Sequence, residues 1–332
     1  MESITFYGII IILSYSLTFF VRKWAIHKSI LDVPNERSSH SIPTPRGGGI
    51  AIVITWFIGL LYFHFTNKID NQLFLALLSG LPLAIVGILD DILNLKPGLR
   101  FLIQFLSAGL ALFFLSGLQV LDFGLFSIES QWLLLPIGLI AIIWAVNLFN
   151  FLDGIDGYIS AEVIFICIAY FVFFRENITL ILALSVLGFL AWNWPKAKIF
   201  MGDVGSTLLG YNIAILAIYY QNKTEISIIV SLILTSVFWF DATVTLLRRI
   251  KNKEKLNEAH RKHAYQRIVQ AGFSHQKTVL WALALNFVGF GLAWHAIKFE
   301  NWNWLFLVID LFLLVFVLRY IDKKKAFEYS NI

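Results

Sequence analysis

Long apolar stretches separated by short polar segments run through the whole chain, leaving no soluble-domain stretch, no internal repeat and no low-complexity segment. A helix crosses a bilayer core of about 30 Å with about 20 apolar residues. Eleven such runs are predicted as spans: Ser3–Phe20, Gly48–Phe65, Leu73–Leu89, Phe101–Leu118, Leu133–Phe149, Ile159–Phe174, Ile178–Trp192, Thr207–Tyr220, Ile226–Leu246, Thr278–Ile297 and Trp302–Leu318. The pattern therefore predicts an all-α polytopic integral membrane protein, with residues 1–332 forming a single transmembrane domain.

Composition agrees. The 332 residues are 58% hydrophobic and 14% charged, with mean hydropathy +0.76, where a soluble domain carries about 25% charged residues. The first run has neither a basic segment before it nor an A-x-A-like site after it, so it is read as a span and not a signal peptide. An odd number of spans puts the two ends on opposite faces. The loops 22–47, 90–100, 150–158, 193–206 and 247–277, with the tail from Arg319, hold 22 of the 26 Lys and Arg residues; the other face holds only Lys68, Arg175, Lys223 and Lys298. Positive-inside bias predicts that the first set is cytoplasmic and the N-terminus outside. The basic pI of about 9.2 reflects that asymmetry, and no nucleic-acid partner is expected. Cys167 lies mid-run and reads as packing, and Trp residues near span ends read as interfacial anchors.

The chemistry sits where apolar runs break off. Asp90, Asp91, Asp153, Asp156 and Asp203 stand in three phrases, GILDDILNLKPGLR, NLFNFLDGIDG and IFMGDVGS, all in the predicted cytoplasmic set. A carboxylate near hydrocarbon costs a few kcal/mol, which makes each a functional-site candidate. Asp90 and Asp91 project about 100° apart on a helix and need not act alike, so one can serve as base while the other positions a phosphate or metal. Asn147, Asn150 and Asp153, spaced i, i+3, are expected to line one face, with Asp156 three residues on; such oxygens suit Mg²⁺, which takes one or two protein carboxylates plus substrate phosphates. A turn rich in Asn, Asp and Gly explains the DG steps but not two Asn inside an apolar run.

Two loops supply donors. DVPNERSSHSIPTPRGGG offers Ser38, Ser39, His40, Thr44 and Arg46 beside Gly47–Gly49, a segment suited to phosphate oxygens although it is no P-loop. RRIKNKEKLNEAHRKHAYQR carries His260, Arg261 and His263. The His-x-x-His spacing lacks further ligands for zinc, and the donors suit a diphosphate, whereas Arg248, Arg249, Lys251 and Lys253 read as a lipid-facing basic stretch. Phe200 lies at a polar edge where it can stack on a base or simply pack.

Taken together, from Asp32 to Arg267, these phrases resemble the polyprenyl-phosphate N-acetylhexosamine-1-phosphate transferases, glycosyltransferase family 4. The family includes the phospho-MurNAc-pentapeptide translocase and the enzymes that start O-antigen and enterobacterial common antigen. HRKH in place of a run of three histidines resembles the O-antigen-initiating branch more than the translocase. The resemblance implies transfer of a sugar 1-phosphate from a UDP-N-acetylhexosamine to undecaprenyl phosphate at the cytoplasmic face of a bacterial inner membrane, with Mg²⁺ (Mn²⁺ as a substitute) and a homodimer. By the same resemblance Asp203 matches the metal ligand and Asn150 its support. Phe200 and Asp156 match the uracil contacts, and Asp90 the carboxylate facing the lipid phosphate, with Asp91 beside it. His260, Arg261 and His263 match the basic phrase on diphosphate or sugar. Asp153 is left between holding metal and orienting its neighbours. GlcNAc, GalNAc, FucNAc and QuiNAc all stay open as the sugar. A transporter with intramembrane carboxylates is the competing class, yet it predicts midplane sites in matched, broken halves, which the phrases do not show.

Overall fold

The computed structural model describes residues 2–34, 42–93, 95–256, 258 and 260–328; Ser38, Ser39 and His40 lie outside them. It is built of helices: α1 (Glu2–His27), α2 (Gly49–Phe65), α3 (Asn71–Leu78), α4 (Leu81–Leu93), α5 (Pro97–Phe114), α6 (Gln131–Leu152), α7 (Tyr158–Phe174), α8 (Ile178–Asn193), α9 (Asp203–Lys223), α10 (Ile228–Leu234), α11 (Ser236–Lys251), α12 (Ala264–Gln270), α13 (His275–Lys298) and α14 (Asn303–Lys324). Two short antiparallel ladders join them, β1 (Leu31–Asp32) with β2 (Thr44–Pro45) and β3 (Leu121–Asp122) with β4 (Ser127–Ile128).

All eleven apolar runs fall on helices, two of them as pairs. Among the described residues six helical stretches are long and apolar enough to cross a membrane, or seven if the bent pair α10–α11 is one span. The run Leu73–Leu89 is not one continuous helix but α3 and α4, parted at Ser79–Gly80. The run Ile226–Leu246 turns by 78° between α10 and α11. That bend has no Pro or Gly behind it. Thr235 donates its hydroxyl to the Ser231 carbonyl (2.8 Å), and the Trp239 indole N–H donates to the Leu232 carbonyl (2.8 Å). The Ser231 carbonyl keeps its helical partner, the Thr235 N–H (3.1 Å), and the Trp239 side chain satisfies the Leu232 carbonyl at the bend.

Helix α9 is the axis of the bundle, buried along nearly its whole length, with α2, α3, α4 and α6 packed around it. Its polar residues never face lipid, so it needs no strongly apolar surface. Close packing at its N-terminal end depends on small residues: a Cβ on Gly49 would stand 2.6 Å from the Gly205 Cα. Two backbones therefore meet there at a distance only glycine allows. Outer faces of α5, α6, α13 and α14 expose Phe101, Phe113, Ile140, Phe287, Trp294, Phe312 and Phe316, an apolar band that suits hydrocarbon.

Candidate phosphate and cation site

The site grows from the point where α2, α4, α6 and α9 converge. Pro45 accepts from the Phe200 N–H (2.8 Å), while Gly48 and Gly49 donate to the Phe200 (2.9 Å) and Met201 (2.8 Å) carbonyls. This pairing zips the triple-glycine loop to the strand-like run before α9 and holds Arg46 over the α9 N-terminus. Gly202, at φ +80°, turns the chain into α9, and a side chain there would collide with the Asp91 carboxylate. Asp91 instead accepts from the Asp203 N–H (3.0 Å) and the Val204 N–H (3.4 Å). A carboxylate from α4 therefore caps the exposed amides and positive dipole end of α9. The helix starts at Asp203, four residues before the predicted span, which places that carboxylate in its first turn.

Two guanidiniums bind the carboxylates together. Arg46 Nη2 lies 2.7 Å from Asp91 Oδ1 and 2.8 Å from Asp203 Oδ1. Arg100 Nη1 lies 2.7 Å from Asp90 Oδ2 and 3.4 Å from Asp203 Oδ2. The other Asp90 oxygen accepts from the Leu95 N–H (2.6 Å), so Asp90 and Asp91 do face different partners, as their helical spacing requires. Asn150 donates to Asp203 Oδ2 (3.3 Å) and accepts from the Ser206 hydroxyl (3.1 Å). One turn back, Asn147 pairs with the Gln104 side chain, donating at 2.8 Å. A cavity of about 250 Å³ opens beside this cluster. Its lining is polar at Asp90, Arg100, Gln104, Asn147, Asn150 and Asp203 and apolar at Leu83, Val86, Phe101 and Phe151. Phe101 and Phe151 are themselves exposed at the protein surface.

The expected single face of Asn147, Asn150 and Asp153 is realised only for the first two. Helix α6 ends at Leu152, so Asn147 and Asn150 share a face while Asp153 and Asp156 lie on the turn beyond it. Asp153 keeps within electrostatic reach of Asp203, Arg46, Asp91 and Asp156; desolvation first, and then the Asp203 charge, push its carboxyl up to about 7. Asp156 turns away, accepting from the Ala197 N–H (3.0 Å) and sitting 3.3 Å from His275 Nδ1. It joins the start of α13 to the loop that carries Phe200.

The basic loop docks on the far side of Asp153. Asp241 of α11 accepts from the Ala264 (2.7 Å) and Tyr265 (3.2 Å) N–H groups, and the Tyr265 hydroxyl donates to the Phe151 carbonyl (3.2 Å) at the end of α6. His263 is buried 3.6 Å from Asp241, its ring centroid 4.9 Å from that of His260. Burial, with the His263 and Arg249 charges, pushes His260 down to about 3, so it is a neutral imidazole and not a cation at working pH.

Arg100, Gln104, Ser206, Asp241 and Tyr265 are not among the site residues predicted from the sequence. Of these only Arg100 carries a signal, a cation one turn into a Pro-started helix just after the paired aspartates. Among the described residues no three His, Cys, Asp or Glu side chains gather at metal-ligand spacing. Asp203 nevertheless offers hard carboxylate oxygens that suit Mg²⁺, which draws most of its ligands from water and phosphate, and Asn150 holds that carboxylate through its Nδ2 while its own oxygen accepts from Ser206.

Carboxylates, guanidiniums and carboxamides gathered beside a partly apolar cavity in a helical membrane protein have the chemistry of an enzyme site for phosphorylated, part-apolar substrates. Residues 73–221 match glycosyl transferase family 4. Over 318 residues the chain is 32% identical to a probable undecaprenyl-phosphate N-acetylglucosaminyl 1-phosphate transferase of Bacillus subtilis (strain 168), covering 91% of this chain and 86% of that protein. It is 28% identical over 282 residues to the undecaprenyl-phosphate alpha-N-acetylglucosaminyl 1-phosphate transferase of Thermotoga maritima, covering 84% and 87%. It is 29% identical over 334 residues to the protein of that name in Escherichia coli (strain K12), covering 94% and 89%. The chain belongs to glycosyl transferase family 4, as its motifs implied.

Proposed function

We propose that this protein transfers N-acetylglucosamine 1-phosphate from UDP-N-acetylglucosamine to undecaprenyl phosphate, releasing UMP and opening the synthesis of a surface polysaccharide. The observation that carries this reading is the junction of a polar, Arg-bridged aspartate cluster with a cavity also lined by apolar residues, of which Phe101 and Phe151 are exposed at the surface. A prenyl phosphate has the same two-part character. The relatives' names supply the sugar and the carrier. Eleven crossings with the basic loops in the cytoplasm, as the charge asymmetry suggests, put the site where UDP-sugars are made.

In this reading the lipid phosphate enters the 250 Å³ cavity and meets Arg100, whose forked donors suit its oxygens. One phosphate oxygen attacks the sugar-bearing phosphorus of the diphosphate in line, and UMP leaves. Asp90 has both oxygens engaged, on the Leu95 N–H and Arg100, and a phosphate monoester is already mostly ionised near pH 7, its second pKa being about 6. Asp90 therefore orients Arg100 and is not needed to remove a proton. Asp91 holds α9 and Arg46 in place. Asp203, supported by Asn150, would hold Mg²⁺, which supplies charge neutralisation at the diphosphate when bound. Phe200 and Asp156 receive the uracil end, while Arg46 and the loop of His260, Arg261 and His263 receive diphosphate and sugar. Positioning and charge cancellation are then the main catalytic effects.

The test is direct. Purified protein in detergent, given Mg²⁺, undecaprenyl phosphate and UDP-N-acetylglucosamine, is expected to release UMP and form the lipid-linked sugar diphosphate. A panel with UDP-GalNAc, UDP-FucNAc and UDP-QuiNAc tests the sugar. Absence of UMP release with every member would overturn the transferase reading, and turnover with another sugar alone would overturn only the sugar.

A further inference from the structure

The segment that follows α14 folds back onto the basic loop. Asp322, in the last turn of α14, accepts both Arg248 guanidinium donors (2.9 and 2.8 Å) from α11 and Arg267 Nη1 (2.5 Å) from α12. Arg267 also donates to the Lys325 carbonyl (2.9 Å). Beyond it Phe327 is only 5% exposed, although it stands in a non-helical tail. Its ring carries three cations: the Arg248 guanidinium at 5.3 Å, Arg267 at 5.6 Å and the Lys262 ammonium at 5.6 Å. Lys262 is held further by Glu254 (2.8 Å) and the Glu328 carbonyl (3.0 Å).

Lys262 is the residue between Arg261 and His263. A loop residue fixed at three points sets the register of its neighbours, because in non-helical backbone successive side chains leave on different sides. The far end of the same unit is tied to the catalytic side: α12 is capped by Asp241, and Tyr265 bonds the Phe151 carbonyl just before Asp153. So the basic loop is clamped between the α6 end and the tail after α14. Three cations on one ring need a reason, since like charges repel and the two carboxylates, Asp322 and Glu254, offset only part of them.

We propose that Asp322 and Phe327 form a positioning latch, which holds the loop of His260, Arg261 and His263 in the orientation that receives the sugar nucleotide. The proposal rests on the reading of that loop given above. The latch touches neither substrate, so its loss acts through the loop. Phe327→Ala is expected to raise KM for the UDP-sugar about tenfold, with kcat and KM for the lipid phosphate changed by no more than about twofold. Asp322→Asn is expected to do the same, and Phe327→Tyr, which keeps the ring face, to restore wild-type kinetics.

Hydrogen exchange followed by mass spectrometry supplies the structural arm. Both damaging variants are expected to accelerate exchange in residues 260–270 while leaving α2, α4 and α9 protected. Unchanged exchange in 260–270 would overturn the latch itself. Faster exchange with unchanged UDP-sugar KM would overturn its positioning role. So would equal losses toward both substrates together with deprotection of the whole bundle, because that is the signature of a merely structural contact. His263→Ala, run in parallel, separates the two levels: if it too leaves the UDP-sugar KM unchanged, the failure lies in assigning the loop to that substrate.

Discussion

Replacing Arg100 by Gln tests the assignment of the cavity to the lipid phosphate. Two effects add. A charge-assisted hydrogen bond to a phosphate contributes about 1.5–3 kcal/mol. With the Arg100 side chain 36% exposed, solvent screening argues for the lower part of that range, about 2 kcal/mol. The second effect is electrostatic. One guanidinium nitrogen touches both Asp90 and Asp203, so those oxygens lie within about 6 Å of each other once it is gone. At an effective dielectric constant of about 20 their repulsion is about 3 kcal/mol, of which water entering the open cavity leaves about 1 kcal/mol. The sum, about 3 kcal/mol, corresponds to a loss of about 150-fold in kcat/KM for the lipid phosphate. Arg100→Lys keeps the charge and loses only the forked geometry, so a loss of about tenfold is expected. The assay is UMP release at saturating UDP-sugar, with lipid phosphate varied in mixed micelles. Adding Asp90→Asn to Arg100→Gln should recover about fivefold, because it removes the repulsion between Asp90 and Asp203. A loss below threefold, or one confined to the UDP-sugar KM, would refute the argument.

Asp203→Asn is expected to reduce kcat by about 10³-fold and to abolish Mg²⁺-dependent UDP-sugar binding in calorimetry; retained Mg²⁺-dependent binding would remove Asp203 from the cation site. Asp90→Asn should lose rate equally at pH 6.5 and 8.5, and a defect that disappears at pH 8.5 would restore the general-base role. Gly205→Val forces a side chain between α9 and α2 and is expected to cost about 3 kcal/mol, seen as a lowered thermal midpoint. Asp153 is raised to about 7, whereas an unfolded Asp titrates near 4, so between those values the folded protein binds the extra proton. Stability in chelator should therefore fall as pH rises from about 4 through 7 and level off above, and Asp153→Asn should flatten that slope in a thermal-shift series.

The apolar runs were legible because lipid imposes one local requirement, length with low charge, and each run lies mainly on helix, although only six or seven of the described helical stretches are long and apolar enough to cross a membrane. The polar phrases were legible for the converse reason: Asp90, Asp91, Asn150 and Asp203 have no cause to stand beside hydrocarbon unless they meet each other, and they do meet. What escaped the sequence was set by tertiary contact. The run Ile226–Leu246 bends by 78° where Trp239 reaches back to the Leu232 carbonyl, a contact that no local residue preference announces. Asp156 carries the same i+3 spacing as its predecessors, yet the helix stops at Leu152 and the spacing loses its meaning. Arg100 looked like one more loop cation until α5 turned it onto Asp90 and Asp203. Phe327 gave no signal at all, because a lone aromatic after a basic helix end acquires its role only from three cations delivered by other segments.

The pairing of carboxylates with arginines also says what substrate binding must rearrange. Asp90, Asp91 and Asp203 face Arg46 and Arg100, leaving one net negative charge, and Asp153 adds little while it holds its proton. Both substrates are anions, the lipid phosphate alone bringing about −1.5 to −2 at pH 7. They cannot enter by simple attraction, since the arginines that would greet them are already satisfied. Asp203 would hold the cation, and with its charge so engaged Arg46 would keep only Asp91 and Arg100 only Asp90, which leaves guanidinium donors to spare for phosphate. Mg²⁺ then matters for the lipid phosphate as well as for the nucleotide: removing it should weaken binding of the lipid phosphate to wild-type protein, and should do so far less in Asp203→Asn. A lipid-phosphate affinity in wild-type protein that ignores Mg²⁺ would show that the arginines are not held in reserve.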